Sequence, residues 1–290
     1  MESGPALAAL PIALAIIMFG LGLHLTVQDF ARIGRRPKPV AVAVACQLLL
    51  LPLICFGLVI LFALPPLLAV GMMLLAASPG GTVANLYSHL FRGDVALNIS
   101  LTAINSIIAV VTLPLLVNLS IAFFQPGDLV LGMQFRKTVE VFLIVLVPVA
   151  LGMLVRGIRP DFADAMDRPV RIASVVILAV VIAGAAISNL DVLVNDLPGL
   201  AGVTISFCGL SLGVGYVIPR LFSIDRPQAI ASAFEVGIHN ATLAIVVAQS
   251  VLMSPDMSLP AAVYGVLMFP LAALFGLIVK RGGQALFRIT

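Results

Sequence analysis

Apolar residues along this chain fall into about nine long runs separated by short polar connections. The runs lie near 6–25, 39–62, 66–89, 95–122, 138–156, 169–189, 198–219, 228–252 and 259–280. Each is close to the roughly 20 residues that an α-helix needs to cross the hydrocarbon core of a bilayer. The connections carry Pro and Asp, which helix ends favour. The pattern predicts an all-α integral membrane protein of about nine transmembrane helices, lettered A to I in chain order. Helices A, B, C and D pair in order with F, G, H and I at an offset of roughly 160 residues, which leaves helix E alone. That offset spans an odd number of helices, so the second copy is inverted in the membrane, an architecture common among transporters.

Two of the runs are interrupted at matching places. Helix C contains Ser78-Pro79-Gly80-Gly81-Thr82-Val83-Ala84-Asn85, and helix H contains Glu235-Val236-Gly237-Ile238-His239-Asn240. Proline removes a backbone donor and glycine weakens a helix. A break frees N–H groups on one half-helix and C=O groups on the other. In hydrocarbon these must find protein, water, ion or ligand partners. A single interrupted helix is as readily a kink braced by a neighbour. Two in register point to a transport site.

Composition strengthens the membrane assignment. The chain is 61% hydrophobic and 10% charged, against roughly 45–50% and about 25% for soluble domains. Tryptophan is absent, so the interfacial aromatic belt is thin. The net charge of +3 is spread over short loops and implies no nucleic-acid partner. Its distribution sets an orientation. With the A–B connection in the cytoplasm, every Lys and Arg but Arg136 and Lys137 falls on the cytoplasmic side, from Arg32 and Arg35 through Arg92, Arg156 and Arg220 to Lys280 and Arg288. The positive-inside rule then places the N-terminus outside and the C-terminus in the cytoplasm of a multi-pass cell-membrane protein. The N-terminus carries Glu2 and no basic segment, so no cleaved signal peptide is expected. Cys46 and Cys55 are too far apart on one helix to bridge, and Cys208 is alone in helix G.

The chemistry concentrates at the interruptions. Glu235 is the only acidic residue deep in a predicted span. A charge at mid-bilayer costs roughly 2.5–3.5 kcal/mol on insertion scales. No Lys or Arg in the spans pairs with it, so a bound cation is the simplest partner; a protonated, hydrogen-bonded Glu is the plainer alternative. Asn98, Thr102 and Asn105 sit at i, i+4 and i+7 on one face of helix D. Asn85 follows the break in helix C, and Gln47 is a lone amide in helix B. Singly, such residues are more often helix–helix contacts. Together they offer the oxygens that a hard cation such as Na⁺ takes. His24 and His89 fall near helix ends, whereas His239 lies inside the second break. A zinc site would need further N or S ligands that the sequence does not offer.

At these motifs the sequence resembles the bile acid:sodium symporter family. Pro79-Gly80-Gly81-Thr82 through Asn85, with Arg92-Gly93-Asp94-Val95-Ala96-Leu97, is similar to the family's first broken helix and the start of the next. Glu235 to Asn240 is similar to its second, and Ile17 to Leu23 with Asp29-Phe30 to the segment before its core. The resemblance implies a core with two crossing broken helices and a panel that moves against it. Residues 1–37 would give the first panel helix, 38–122 the first half of the core, 123–190 the other panel helices and 191–290 the second half of the core. It implies a first sodium site of Asn85, Asn98, Thr102 and Glu235. A second would use Gln47, Glu235, His239 and the carbonyls of Val236 and Ile238. Substrate would meet Thr82, Asn105 and Asn240. Two departures stand out: Ala84 and Asn98 fall where the family places hydroxyls, and His239 falls where it places a Gln. An imidazole has no oxygen for Na⁺, but its ordinary pKa of about 6.5 lets it carry charge reversibly. A proton on His239 could therefore stand in for the second sodium.

These readings converge on a symporter that takes up an organic anion by alternating access, driven by sodium or by sodium and protons together, with Na⁺ in one site or two as its bound cofactor and no obligate protein partner. A membrane enzyme using Glu235 and His239 as an acid–base pair is the main alternative, and it lacks HExxH, GxSxG or paired intramembrane Asp motifs. A ligand sensor built on the same site is a third, with no output domain in this sequence.

Overall fold

The computed structural model describes residues 5–26, 28, 34, 37–81, 83–125, 131–188 and 190–286. Among them the chain is helical, with one isolated antiparallel bridge, Gly80 to His239, in place of any sheet. The helices are α1 (Pro5–His24), α2 (Pro37–Leu61), α3 (Pro66–Ala77), α4 (Val83–Leu90), α5 (Val95–Phe124), α6 (Leu131–Ile158), α7 (Pro160–Ser188), α8 (Leu190–Leu221), α9 (Arg226–Gly237), α10 (Ala241–Val246) and α11 (Leu259–Leu286). Four helical stretches, Pro37–Leu61, Val95–Phe124, Leu197–Leu221 and Asp256–Arg281, are long and apolar enough to cross a membrane. Ile12–His24, Pro66–Ala77, Leu146–Ile158 and Ala241–Val251 are shorter apolar helices. Both predicted interruptions are real: α3 and α4 divide the run near 66–89, and α9 and α10 divide the run near 228–252.

The helix ends have local causes. Ser78 precedes Pro79 and is pushed to an extended conformation, ψ 144°, which ends α3. Its amide and hydroxyl both turn back to the Leu75 carbonyl, at 3.0 and 2.7 Å. The second break has no proline. Gly237 ends α9, and Asn240 caps α10 by accepting from the Leu243 amide at 3.0 Å. Asp94 caps α5 in the same way through the Leu97 amide. Within α2 the turn Cys46–Leu50 widens to a π-turn, closed by the Leu51 amide on the Cys46 carbonyl. Pro52 explains it, because it has no N–H for the Leu48 carbonyl one turn back. A second π-turn, Val247–Val251, extends α10.

Several helices run past the apolar segments that predicted them. Helix α7 starts at Pro160, well before 169, because Pro is accepted at a first helical position. Its added turns are polar, and Asp164 pairs with Arg156 at the end of α6. Helix α8 likewise begins at Leu190, ahead of 198.

One turn recurs after α2, α4 and α8, and after α4 it is made by Phe91, Arg92 and Gly93 on Tyr87, His89 and Ser88, with Arg92 at φ 61°. After α2, Phe62 bonds Leu58, Ala63 bonds Ile60 and Leu64 bonds Val59. After α8, Phe222, Ser223 and Ile224 make the same three bonds to Ile218, Arg220 and Pro219. Ala63 and Ser223 both take a left-handed conformation, φ 48° and 58°. Each turn is a helix-ending motif with its six-residue closure.

Packing divides the helices into two sets. Helix α1 lies against α6 and α7. In the other set, α8 packs on α9 and α11, α3 on α5, and α9 on α4 and α5. The sets meet where α10 touches α1 and α7, where α11 touches α7 and where α5 touches α6. Burial peaks in the broken helices: Leu68 to Ala77 of α3 and Gln228 to Gly237 of α9 are buried throughout. Helix α5 shows the reverse of a water-soluble pattern. Ile107, Val111, Leu115 and Leu119 form an exposed apolar stripe, while Asn98, Thr102 and Asn105 face inward. Apolar side chains in an outward row are stable against lipid, not water.

Candidate functional site

The two breaks hydrogen-bond to each other. The Gly81 amide donates to the Ile238 carbonyl at 2.7 Å, and the Asn240 amide donates to the Pro79 carbonyl at 2.9 Å. Groups that would have been stranded in the bilayer by each break are thus satisfied by the other. This pairing brings Glu235, in the last turn of α9, against the first break.

Glu235 is fully buried. Its Oε2 accepts from Thr102 Oγ1 at 2.6 Å and its Oε1 from Asn105 Nδ2 at 3.1 Å. The carboxyl lies directly on Gly80, where an added Cβ would collide with its carbon and both oxygens. These described partners are all neutral. Thr102 and Asn105 come from the inward face of α5, one turn apart, as the i+4 and i+7 spacing requires. Asn98, a turn earlier, donates Nδ2 to the Ala231 carbonyl of α9 at 2.7 Å, and Thr102 Oγ1 also lies 3.1 Å from the Asn98 carbonyl. That leaves the Oδ1 atoms of Asn98 and Asn105, and of Asn85 on α4, buried without a protein partner. Buried amide oxygens are ordinarily satisfied, so three such acceptors on the helices around a carboxylate call for a ligand that takes lone pairs. A hard cation fits that donor set. Clusters of three or more His, Cys, Asp or Glu that would suit a softer metal are absent among the described residues.

A second group forms on the other side of the crossing. The π-turn in α2 carries Gln47, whose Nε2 donates to the Ser78 carbonyl at 3.1 Å and lies 3.4 Å from that of Ala76. His239 Nδ1 meets the same Ser78 carbonyl at 3.3 Å. A carbonyl only accepts, so Nδ1 carries the proton in that bond. Gln47 Oε1 and His239 Nε2 are buried and unpartnered. The imidazole stacks on Phe207, ring centroids 5.4 Å apart and planes 11° from parallel, and also touches Tyr264. Tyr264 donates its hydroxyl to the Gly237 carbonyl at 2.8 Å.

The comparison with known proteins follows this geometry. Residues 11–196 match the model of the Sodium Bile acid symporter family. The chain belongs to that family. A Bacillus subtilis (strain 168) protein named "Uncharacterized sodium-dependent transporter YocS" is 31% identical over 88% of this chain and 78% of its own length. The human ileal sodium/bile acid cotransporter is 26% identical over 92% of this chain and 77% of its own. A rice (Oryza sativa subsp. japonica) chloroplastic protein named "Probable sodium/metabolite cotransporter BASS2" is 27% identical, and the chain spans 60% of its length. This family member is thus a multi-pass membrane protein of a sodium symporter family, and the compared proteins carry transporter names.

Set against the residues expected from sequence, the structure gathers Glu235, Thr102 and Asn105 by direct bonds and ties Asn98 to α9. Gln47 and His239 meet at Ser78. Asn105, expected on the substrate side, donates to Glu235. Asn240 spends its side chain on capping α10. The Ile238 carbonyl, expected as a cation ligand, accepts from Gly81. Thr82, Asp29 and Phe30 lie outside the described residues. Gly80 as the floor under the carboxyl, and Phe207 and Tyr264 around the imidazole, were not singled out by sequence. Tyr264 carried one signal, as one of only three tyrosines in the chain.

Proposed function

We propose that this protein is a symporter that takes up an organic anion by alternating access, driven by sodium held at Glu235. The observation that carries the reading is the buried Glu235 carboxyl with only neutral described partners, together with the unpaired amide oxygens of its partner Asn105 and of Asn85 and Asn98 on helices packed against α9. Family membership and the sodium cotransporter names of the relatives support the ion. The bile acid and metabolite named for those relatives support an organic solute. An anionic group would be received near the crossing, where the α4 half-helix begins. The alternating motion is a swing of a panel made of α1, α6 and α7 against a core made of the remaining helices. Their separate packing sets support that division. The left-handed residues Ala63 and Arg92 of the first half recur as Ser223 and Met253 at the offset of roughly 160 residues, which supports a two-fold inverted repeat, and the charge tally supports nine spans with the N-terminus outside.

The test is uptake by the purified chain in proteoliposomes, with candidate organic anions and an imposed sodium gradient. Sodium-dependent accumulation and counterflow of one anion is the expected result. Conversion of the solute would instead indicate an enzyme, and binding without counterflow a sensor. Repeating the assay at pH 5.5 and 8 decides whether a proton on His239 shares the drive, since a sodium gradient that suffices equally at both values removes the proton.

A further inference from the structure

Around the second break, hydrogen bonds from protein groups already occupy three carbonyls, among them that of Ile238, which a second cation would use. The Ser78 oxygen receives two donors, Gln47 Nε2 at 3.1 Å and His239 Nδ1 at 3.3 Å. The Gly237 oxygen, at the carboxyl end of α9, receives the Tyr264 hydroxyl at 2.8 Å and faces the Cys208 thiol at 3.9 Å. The Ile238 oxygen receives the Gly81 amide at 2.7 Å. A carbonyl has two lone pairs, so Ser78 is saturated. Donor hydrogens aimed at these oxygens also place partial positive charge where a cation would sit. Among side-chain atoms at this break, the unpartnered ones are one amide oxygen, Gln47 Oε1, and one nitrogen, His239 Nε2. Besides Glu235, side chains thus offer a second cation one unpaired oxygen, and the imidazole offers none, against the six or so oxygens typical of a hard cation. The imidazole cannot swing aside easily, because Phe207 stacks on it and Tyr264 packs against it while holding the Gly237 carbonyl.

From this geometry we infer that His239 and Tyr264 are positioning residues that close the second break with permanent hydrogen bonds, so that the protein binds one sodium ion per chain. The inference rests on the proposed reading of Glu235 as the sodium site. His239 does by a fixed bond to Ser78 what a second ion would do by coordination: it ties the two breaks together. Glutamine at this position could keep a donor on Ser78 and would add a carbonyl oxygen near Gln47 Oε1.

The experiment counts radiolabelled sodium bound to the purified full-length chain at saturation, in wild type and in His239→Gln. One ion per wild-type chain and two per His239→Gln chain is the expected result, with the Hill coefficient of binding rising from about one towards two. Two ions on the wild type, or one on a folded His239→Gln chain, overturns the inference. No sodium on the wild type overturns the Glu235 reading itself, a different outcome. Thermal melting shows whether the variant is folded; if it is not, the wild-type count decides alone. A purely structural role for His239 would change melting and leave the ion count at one.

Discussion

Glu235 sits where an ionised carboxyl without compensation is costly, and two hydroxyl or amide donors and one backbone contact hold it in place. Hydrogen bonds to a charged group contribute about 1.5–3 kcal/mol each. Thr102→Val should therefore weaken sodium binding about tenfold or more, and Glu235→Gln should abolish sodium-dependent uptake while the chain still reaches the membrane; titration with sodium and a surface-expression assay check both. Gly80→Ala is a sharper probe, because its methyl group must displace the carboxyl. Overpacking of this kind costs about 1–3 kcal/mol, so uptake should fall at least tenfold and the melting temperature by several degrees. Much of this site was legible in the sequence. A lone acid in a span and three polar residues at helical spacing identify themselves. The floor under the carboxyl did not, because Gly80 looked like one more helix breaker until the second break was laid across it. The aromatic walls of His239 were invisible for a related reason: Phe207 and Tyr264 lie on helices far away in sequence, and apolar residues in apolar helices carry no local signal.

Among elements, the breaks were readable because Pro and Gly act locally, and the polar extension of α7 was not, because a hydropathy window stops where charge begins. The widened turn in α2 shows how a local cause acquires a remote role. Pro52 opens the π-turn, and the π-turn carries Gln47 to Ser78. Pro52→Ala lets the turn close to α-geometry, which rotates Gln47 and should lower transport without unfolding the helix. Uptake and circular dichroism together test this. The α1–α6 contact depends on two glycines. A Cβ on Gly22 would strike the Val149 carbonyl, and one on Gly152 would strike that of Phe19. Helices approach this closely in membranes only through small residues. Gly152→Leu should force α1 and α6 apart and lower the melting temperature by several degrees, roughly as a 1–3 kcal/mol overpacking predicts.

For the whole molecule, the proposed orientation predicts which loops meet water on which side. Single cysteines at Ala63 and Met253, in a background with Cys46, Cys55 and Cys208 replaced by Ala or Ser, should label from outside the cell. Cysteines at Arg92 and Ser223 should not. A reversed pattern would overturn the orientation, and labelling of Ala63 and Ser223 from the same side would overturn the inverted relation of the two halves. Membrane class was written in composition alone. Which helices pack together was not, since every helix presents a similar apolar stripe and the choice of partner lies in a few glycines and buried amides.

The mutual hydrogen bonds between the breaks bear on how such a chain is made. Pro79 and Gly81 emerge from synthesis long before Ile238 and Asn240. Until those later residues arrive, the Pro79 carbonyl and Gly81 amide lack their native partners inside a low-dielectric bilayer, at a cost that only water or the insertion machinery can relieve. Biogenesis of the first half is therefore incomplete by construction. A ribosome stalled before residue 240 should leave a nascent chain that the membrane's quality-control proteases recognise, and the two halves expressed as separate polypeptides should survive only when produced together.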